Sequence, residues 1–348
     1  MKDAIVDYRS DLLVPPSDAV KTAVAAALEQ RPEFDLRGGV QQSALEDKVA
    51  TLLGKEDSLL FPTCTMANQA ALILHCRPGD AAIAEGDAHM ITSEAGAPAS
   101  LAGAIVHGVP GEDGIPDMAA VAAHLKAPAS AIAPRVTALL LENTHLRSGG
   151  RALAPARTSE LRALADETET AIHLDGARLF NAAVHAGETL SNLAAIGDTV
   201  SLSLNKSLGA PFGAMLAGSK ALIEEALRIR HRLGGGFRPT AMIAAAALAA
   251  LESYDHIAED HRRAKQLEKA LNSLPGLTVS PVETNILFVT VNSETQEFVE
   301  GLDRHGVRVL PYGSNRIRLV THRGIDDDGV ARTIDAFTAL LRSYPSAS

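Results

Sequence analysis

The chain has 348 residues, 46% of them hydrophobic and 21% charged, with a formal net charge of −10. That length suits about two domains with ample core, while the acidic balance and the lack of any Lys/Arg cluster exclude a nucleic-acid-tracking surface. Two cysteines, Cys64 and Cys76, are too few for a disulfide framework and lack zinc-type spacing, and the twelve histidines are scattered, so no metal site is expected; with no leader-like or membrane-spanning stretch, a soluble, cytoplasmic protein is.

In chain order, residues 1–14 read as an extended arm. Pro15-Pro16-Ser17 then opens a helix through Leu28, with proline in the first turn, where its missing N–H costs nothing. A second helix, SALEDKVATLLG (43–54), stops at Gly54. Short apolar strands then alternate with helices. DSLLFPT (57–63) precedes a helix TMANQAALILHC (65–76), and AAIAEG (81–86), AIVHGVP (104–110) and VTALLLEN (136–143) follow. After a helix over 159–168 come AIHLDG (171–176) and TVSLSLN (199–205). Such alternation signals a mostly parallel sheet covered on both faces, with ligands at the carboxyl ends of its strands.

Past a helix at 240–253 the texture changes. A charged helix (255–273) leads to short strands at 277–281, 285–291, 306–311 and 316–322, and a closing helix at 326–343. The fold class is α/β: an arm (1–14), a large domain (15–245) and a small α+β C-terminal domain (246–348), with the boundary inside 240–255.

Two strand ends carry the chemistry. Asp175 closes the strand in AIHLDGARLF, and Lys206 follows the strand in SLSLNKSLGAPFGAM. An acid and a lysine at the carboxyl ends of two strands can hold pyridoxal phosphate (PLP): the lysine condenses with its aldehyde, and the acid keeps the pyridine nitrogen protonated. Singly, each has a plainer explanation, a surface lysine and a helix cap. With Arg178 three residues past the acid, where it can neutralise the ring's phenolate oxygen, the set outweighs its members.

A phosphate dianion suits a helix N-terminus, and the turn containing Cys64 and Thr65 opens a helix directly after a strand. His89, in GDAHMITSEAG, follows the next strand and can stack on the ring or shuttle a proton, and Glu94, five residues on, could orient it or approach the substrate. A substrate carboxylate calls for an arginine. Arg316 and Arg318 alternate on one strand, and the local pattern does not choose between them. Ser10 could add a hydroxyl, and Arg238 follows three glycines in a run of the kind found at subunit contacts.

The stretches RSD (9–11), ALEDKVATLLGKE (44–56), TMANQ (65–69), RPGD (77–80), LENTH (141–145), HLDGARLFNAAV (173–184), LGAPFGAM (208–215), GGGFR (234–238) and RLVTH (318–322) run nearly end to end. Together they resemble the L-threonine aldolase group, in the β-eliminating-lyase branch of fold-type I PLP enzymes. The resemblance implies Lys206 as the covalent anchor, Asp175 as the nitrogen partner and His89 as the ring-stacking histidine. It implies Arg178 at ring oxygen and substrate, Arg318 rather than Arg316 at the carboxylate, with Ser10 beside it, and Arg232 and Arg238 reaching a neighbouring subunit's phosphate. A homo-oligomer, dimer or tetramer, is also implied.

Departures from the family pattern are Cys64 for a glycine at the phosphate turn, Leu12 for threonine after RSD, and Phe34-Asp35-Leu36-Arg37 for Tyr-Gly-Glu-Asp. Leu146 follows LENTH, and Ile132 stands where some members carry a histidine. The resulting expectation is retro-aldol cleavage of a β-hydroxy-α-amino acid to glycine and an aldehyde, with Leu12, Phe34 and Ile132 favouring aryl substrates. β-Elimination or racemisation on the same residues is the rival, followed by a PLP carrier without turnover. A nucleotide-binding fold lacks its glycine motif.

Overall fold

The computed structural model describes residues 5–31, 35–128, 130–153, 155–292 and 294–343. Phe34 lies outside them. The chain divides into two units, Pro16–Tyr254 and a second one that joins the described residues up to Pro15 with those from Asp255 onward.

The larger unit is built on seven strands: β1 (Asp57–Phe61), β2 (Ala81–Glu85), β3 (Ile105–Val109), β4 (Val136–Glu142), β5 (Ala171–Gly176), β6 (Thr199–Ser203) and β7 (Ala214–Gly218). They lie in the order β1-β7-β6-β5-β4-β2-β3. Only β7 is antiparallel to its neighbours; the pairs β2–β3, β2–β4, β4–β5 and β5–β6 are parallel. Leu59, Leu60 and Phe61, Ala81 to Ala84 and Ala138 to Leu141 are buried as continuous runs, as a sheet covered on both faces requires. Sequence reading passes over β7, because AMLAG is short, rich in small residues and directly follows a Gly/Pro loop.

The helices start and stop on local chemistry. α1 (Asp18–Leu28) is capped by Ser17, whose hydroxyl accepts the Val20 N–H at 3.2 Å. Pro15 and Pro16 therefore precede the cap rather than occupy the first turn. α2 (Val40–Leu53) ends on Gly54 at φ 61°, a left-handed cap that suits glycine. α3 (Cys64–His75) is capped by Thr63, which accepts the Met66 N–H at 3.1 Å, and packs over β5 and β6.

The second unit has a four-stranded antiparallel sheet, in the order Leu277–Val279, Ile286–Val291, Arg316–Val320, Leu310–Pro311, with helices His256–Asn272, Thr295–Arg304 and Asp327–Ser343. Its core includes Leu287, Val289, Phe298 and Phe337. The expected arm is part of this core. Val6–Asp7 pairs in parallel with Val307–Arg308, and Tyr8 is fully buried, its hydroxyl 2.9 Å from Thr333 Oγ1. Among the described residues no helix is long and apolar enough to cross a membrane.

Candidate active site

Strand register assembles the site. Glu142 on β4 pairs with Asp175 on β5, which pairs with Ser201 on β6. One polar row thus crosses three strands near their carboxyl ends. Because side chains alternate along a strand, His173 and Thr199, paired two residues earlier, share that face with Asp175 and Ser201. Asn68 of α3 reaches the row. Its Nδ2 donates to Asp175 Oδ2 and to Glu94 Oε1, both at 2.8 Å. Asn68 Oδ1 accepts from Ser201 Oγ at 2.7 Å.

Glu94 lies at the centre of the second half of the site. Its Oε2 accepts from Gln69 Nε2 at 2.6 Å, and its Oε1 lies 3.0 Å from His89 Nδ1. The main-chain N–H of His89 donates to Glu142 Oε2 at 2.8 Å, fixing the turn from which the ring projects. One ligand-type atom each of His89, Glu94 and Asp175 lies within 4.8 Å of the others. Asn68 nonetheless points N–H groups at both carboxylates, the polarity opposite to what a cation needs.

Electrostatics follow from these contacts. Burial raises the Asp175 carboxyl, but the charges of His89 and Lys206 outweigh it and hold it below the usual carboxylate range. Burial lowers the His89 imidazole, yet its bond to Glu94 and the charges of Asp175, Glu94 and Glu142 leave it above its ordinary 6.5. Lys206 sits in the turn after β6, close enough for its charge to act on both Asp175 and Cys64.

The Cys64 side chain turns toward Asp175 and Ser201. Its Sγ lies 3.9 Å from Asp175 Oδ1 and 3.5 Å from Ser201 Oγ, and burial pushes its thiol well up. The α3 cap uses the amides of Met66 and Ala67, which leaves those of Cys64 and Thr65 outside it at the helix N-terminus. Arg178 is buried at the start of the helix Leu179–Ala186. Arg232 and Arg238 are exposed, with Arg238 3.0 Å from His231 Nε2.

The second unit holds Ser10 and Arg318. Ser10 Oγ accepts the Leu12 N–H at 3.1 Å, and Arg318 donates to the carbonyl of Arg9 at 3.0 Å. Arg316 is exposed and lies over the Phe288 ring at 5.2 Å. Both guanidinium groups also lie over the Tyr312 ring, Arg316 at 5.7 Å and Arg318 at 6.0 Å. Leu12 is 54% exposed. Ile132 is 97% exposed, ahead of β4 at its amino end, opposite the strand end that carries Glu142. The structure therefore does not bring Ile132 to the residues around Asp175.

Sequence reading leaves Asn68, Gln69, Glu142, His145, His173 and Ser201 unassigned. His145 is buried, its Nε2 3.1 Å from Glu85 Oε2 and 3.7 Å from Glu142 Oε2. Burial lowers its pKa, but the bond to Glu85 and the two carboxylate charges raise it overall. A hairpin, Gly111–Glu112 with Ile115–Pro116, packs against this group. A Cβ on Gly114 would lie 2.3 Å from the His145 side chain. The only signal for these residues is that most fall inside TMANQ, LENTH and HLDG.

The mostly parallel seven-stranded sheet, with a separate antiparallel sheet toward the C-terminus, is the fold of the fold-type I PLP enzymes. The fold agrees with that of a threonine aldolase from Leishmania major, at a TM-score of 0.85 and 20% identity over 97% of this chain and 99% of that one. A family model described as Beta-eliminating lyase matches residues 7–294. Low-specificity L-threonine aldolase 1 of Arabidopsis thaliana is 34% identical over 99% of this chain and 98% of its own length. Alanine racemase TOXG of Cochliobolus carbonum is 31% identical over 97% of this chain and 88% of its own. The chain belongs to the beta-eliminating lyase family, which uses pyridoxal phosphate.

Proposed function

We propose that the chain is a PLP-dependent aldolase that cleaves β-hydroxy-α-amino acids, threonine among them, to glycine and an aldehyde. The observation that carries this is the Asp175–Asn68–Glu94–His89 network, held on the strand ends with the Lys206 charge beside it. A buried, ionised acid, a nearby lysine and uncapped amides at a helix N-terminus fit the ring nitrogen, the aldehyde and the phosphate of the cofactor. When bound, PLP supplies an electron sink at the substrate's α-carbon. Lys206, Asp175, Arg178, Cys64 and Thr65 would hold it, with Arg232 and Arg238 serving a neighbouring copy in a homo-oligomer.

The protein's own groups handle the rest. With Nδ1–H donated to Glu94, His89 keeps its lone pair on Nε2, so Nε2 takes the proton from the substrate's β-hydroxyl. Arg318, with Ser10 beside it in the chain's second unit, supplies the guanidinium that an α-carboxylate calls for. Ile132 lies away from the residues around Asp175 and Phe34 outside the described residues, so neither supports a preference for aryl substrates.

The test is glycine and aldehyde release from L-threonine and L-phenylserine by wild type and Lys206→Ala. Glycine release that requires Lys206 supports the aldolase. Inversion of an amino acid without glycine release favours racemisation, the reading that the resemblance to TOXG keeps open. Absence of both overturns the proposal.

A further inference from the structure

Asn68 fixes the positions of protons well beyond itself. A carboxylate can only accept, so the amide nitrogen of Asn68 must face Asp175 and Glu94; the flipped amide would set its oxygen against both acids. Asn68 Oδ1 is then an acceptor for both Ser201 Oγ at 2.7 Å and His173 Nε2 at 3.1 Å. All four hydrogen-bonding positions of the amide are filled, and His173 Nε2 must carry a proton.

Burial pushes the His173 pKa down to about 4, so near pH 7 its Nδ1 is bare. That nitrogen lies 3.0 Å from Thr199 Oγ1 and accepts its proton. A hydroxyl has one proton to give. Thr199 Oγ1 can therefore only accept from His75 Nε2, 2.9 Å away. His75, also pushed down to about 4 by burial, is the neutral Nε2–H tautomer. Every hydrogen bond in the chain points the same way, toward the two acids.

The sequence places these groups by simple periods. His173 and Asp175 are two apart on β5, and Thr199 and Ser201 are two apart on β6. Asn68 and His75 are seven apart on α3, two helical turns along one face.

We propose that His173, Thr199 and His75 are positioning residues: their one-way hydrogen-bond chain locks the Asn68 amide so that a single group serves Asp175 and Glu94 together. Aligned dipoles with their positive ends toward the acids favour the ionised form of Asp175, and the bonds reinforce one another in a buried setting. Without the chain the Asn68 carbonyl keeps only Ser201 as a donor, and the amide that serves both acids is held less firmly. The proposal rests on the reading of Asp175 as the partner of the cofactor's ring nitrogen.

The test has two readouts. In apoprotein labelled with ¹⁵N-histidine, His173 is expected to show a protonated Nε2 and a bare Nδ1 from pH 6 to 8. In PLP titrations followed by absorbance, His173→Phe should weaken binding roughly tenfold, as the buried Asn68 carbonyl loses one of its two donors. His173→Gln, which returns an N–H donor, should recover affinity to within about twofold, and Thr199→Val should lose about threefold. A charged or Nδ1–H His173, or a folded His173→Phe with wild-type affinity, overturns the chain. If His173→Phe does not fold, Thr199→Val decides in the same way. A wild type that takes up no PLP, or a Lys206→Ala that binds it as wild type does, defeats the reading of the site instead, and the His173 tautomer still decides the chain.

Discussion

His89 stands between two demands, a lone pair on Nε2 for the substrate and a proton on Nδ1 for Glu94. Its pKa is raised, and below that pKa the imidazolium cannot accept a proton. kcat/KM for glycine release should therefore climb with pH along an acid limb centred above 6.5. Glu94→Gln removes the carboxylate, so the limb should move down toward 6.5; an unmoved limb would detach it from His89. His89→Asn should cost about 10²–10⁴ in kcat if the ring is the base, with PLP absorbance retained. The thiol of Cys64 is held in its neutral form, and Cys76 is buried and also raised. Ellman's reagent should find almost no reactive thiol in the native protein at pH 8 and two after denaturation. Lys206, Asp175 and His89 are legible in the sequence because each closes or follows a strand. Asn68, His173 and Ser201 are not. Their partners lie 26 to 133 positions away, and only the strand register brings them together.

At the scale of elements, the hairpin at 111–116 shows how a loop feature supports a buried ion cluster. Gly114 has φ +82° and leaves no room for a Cβ beside His145. Gly114→Ala combines a left-handed backbone with overpacking and should destabilise the protein by about 2–4 kcal/mol, read from the urea midpoint. Any folded fraction should show impaired turnover, because His145 adjoins Glu142, which holds the His89 main chain. Long apolar strands and the α3 start are readable from periodicity. This hairpin and β7 are not, being two-residue strands and a run of small residues whose β character comes from their neighbours.

For the whole molecule, folding turns on a second unit that is discontinuous in sequence. Tyr8 fills its core, with Val6 beside it. Tyr8→Ala should cost about 3–5 kcal/mol. Removing residues 1–15 should lower the melting temperature of this unit while leaving that of 16–254 in place, as calorimetry would show in two transitions. A single unshifted transition would contradict the assignment of the arm.

That arrangement also sets a timetable. A ribosome that has released Tyr8 must add about 300 more residues before its hydrogen-bond partner Thr333 emerges, roughly 15–60 s at about 5–20 residues per second. Through that interval the large sheet can close while the first segment waits in solvent. A bulky tag fused to the amino end would ride on the last piece to be sewn in, so tags belong at the carboxyl end.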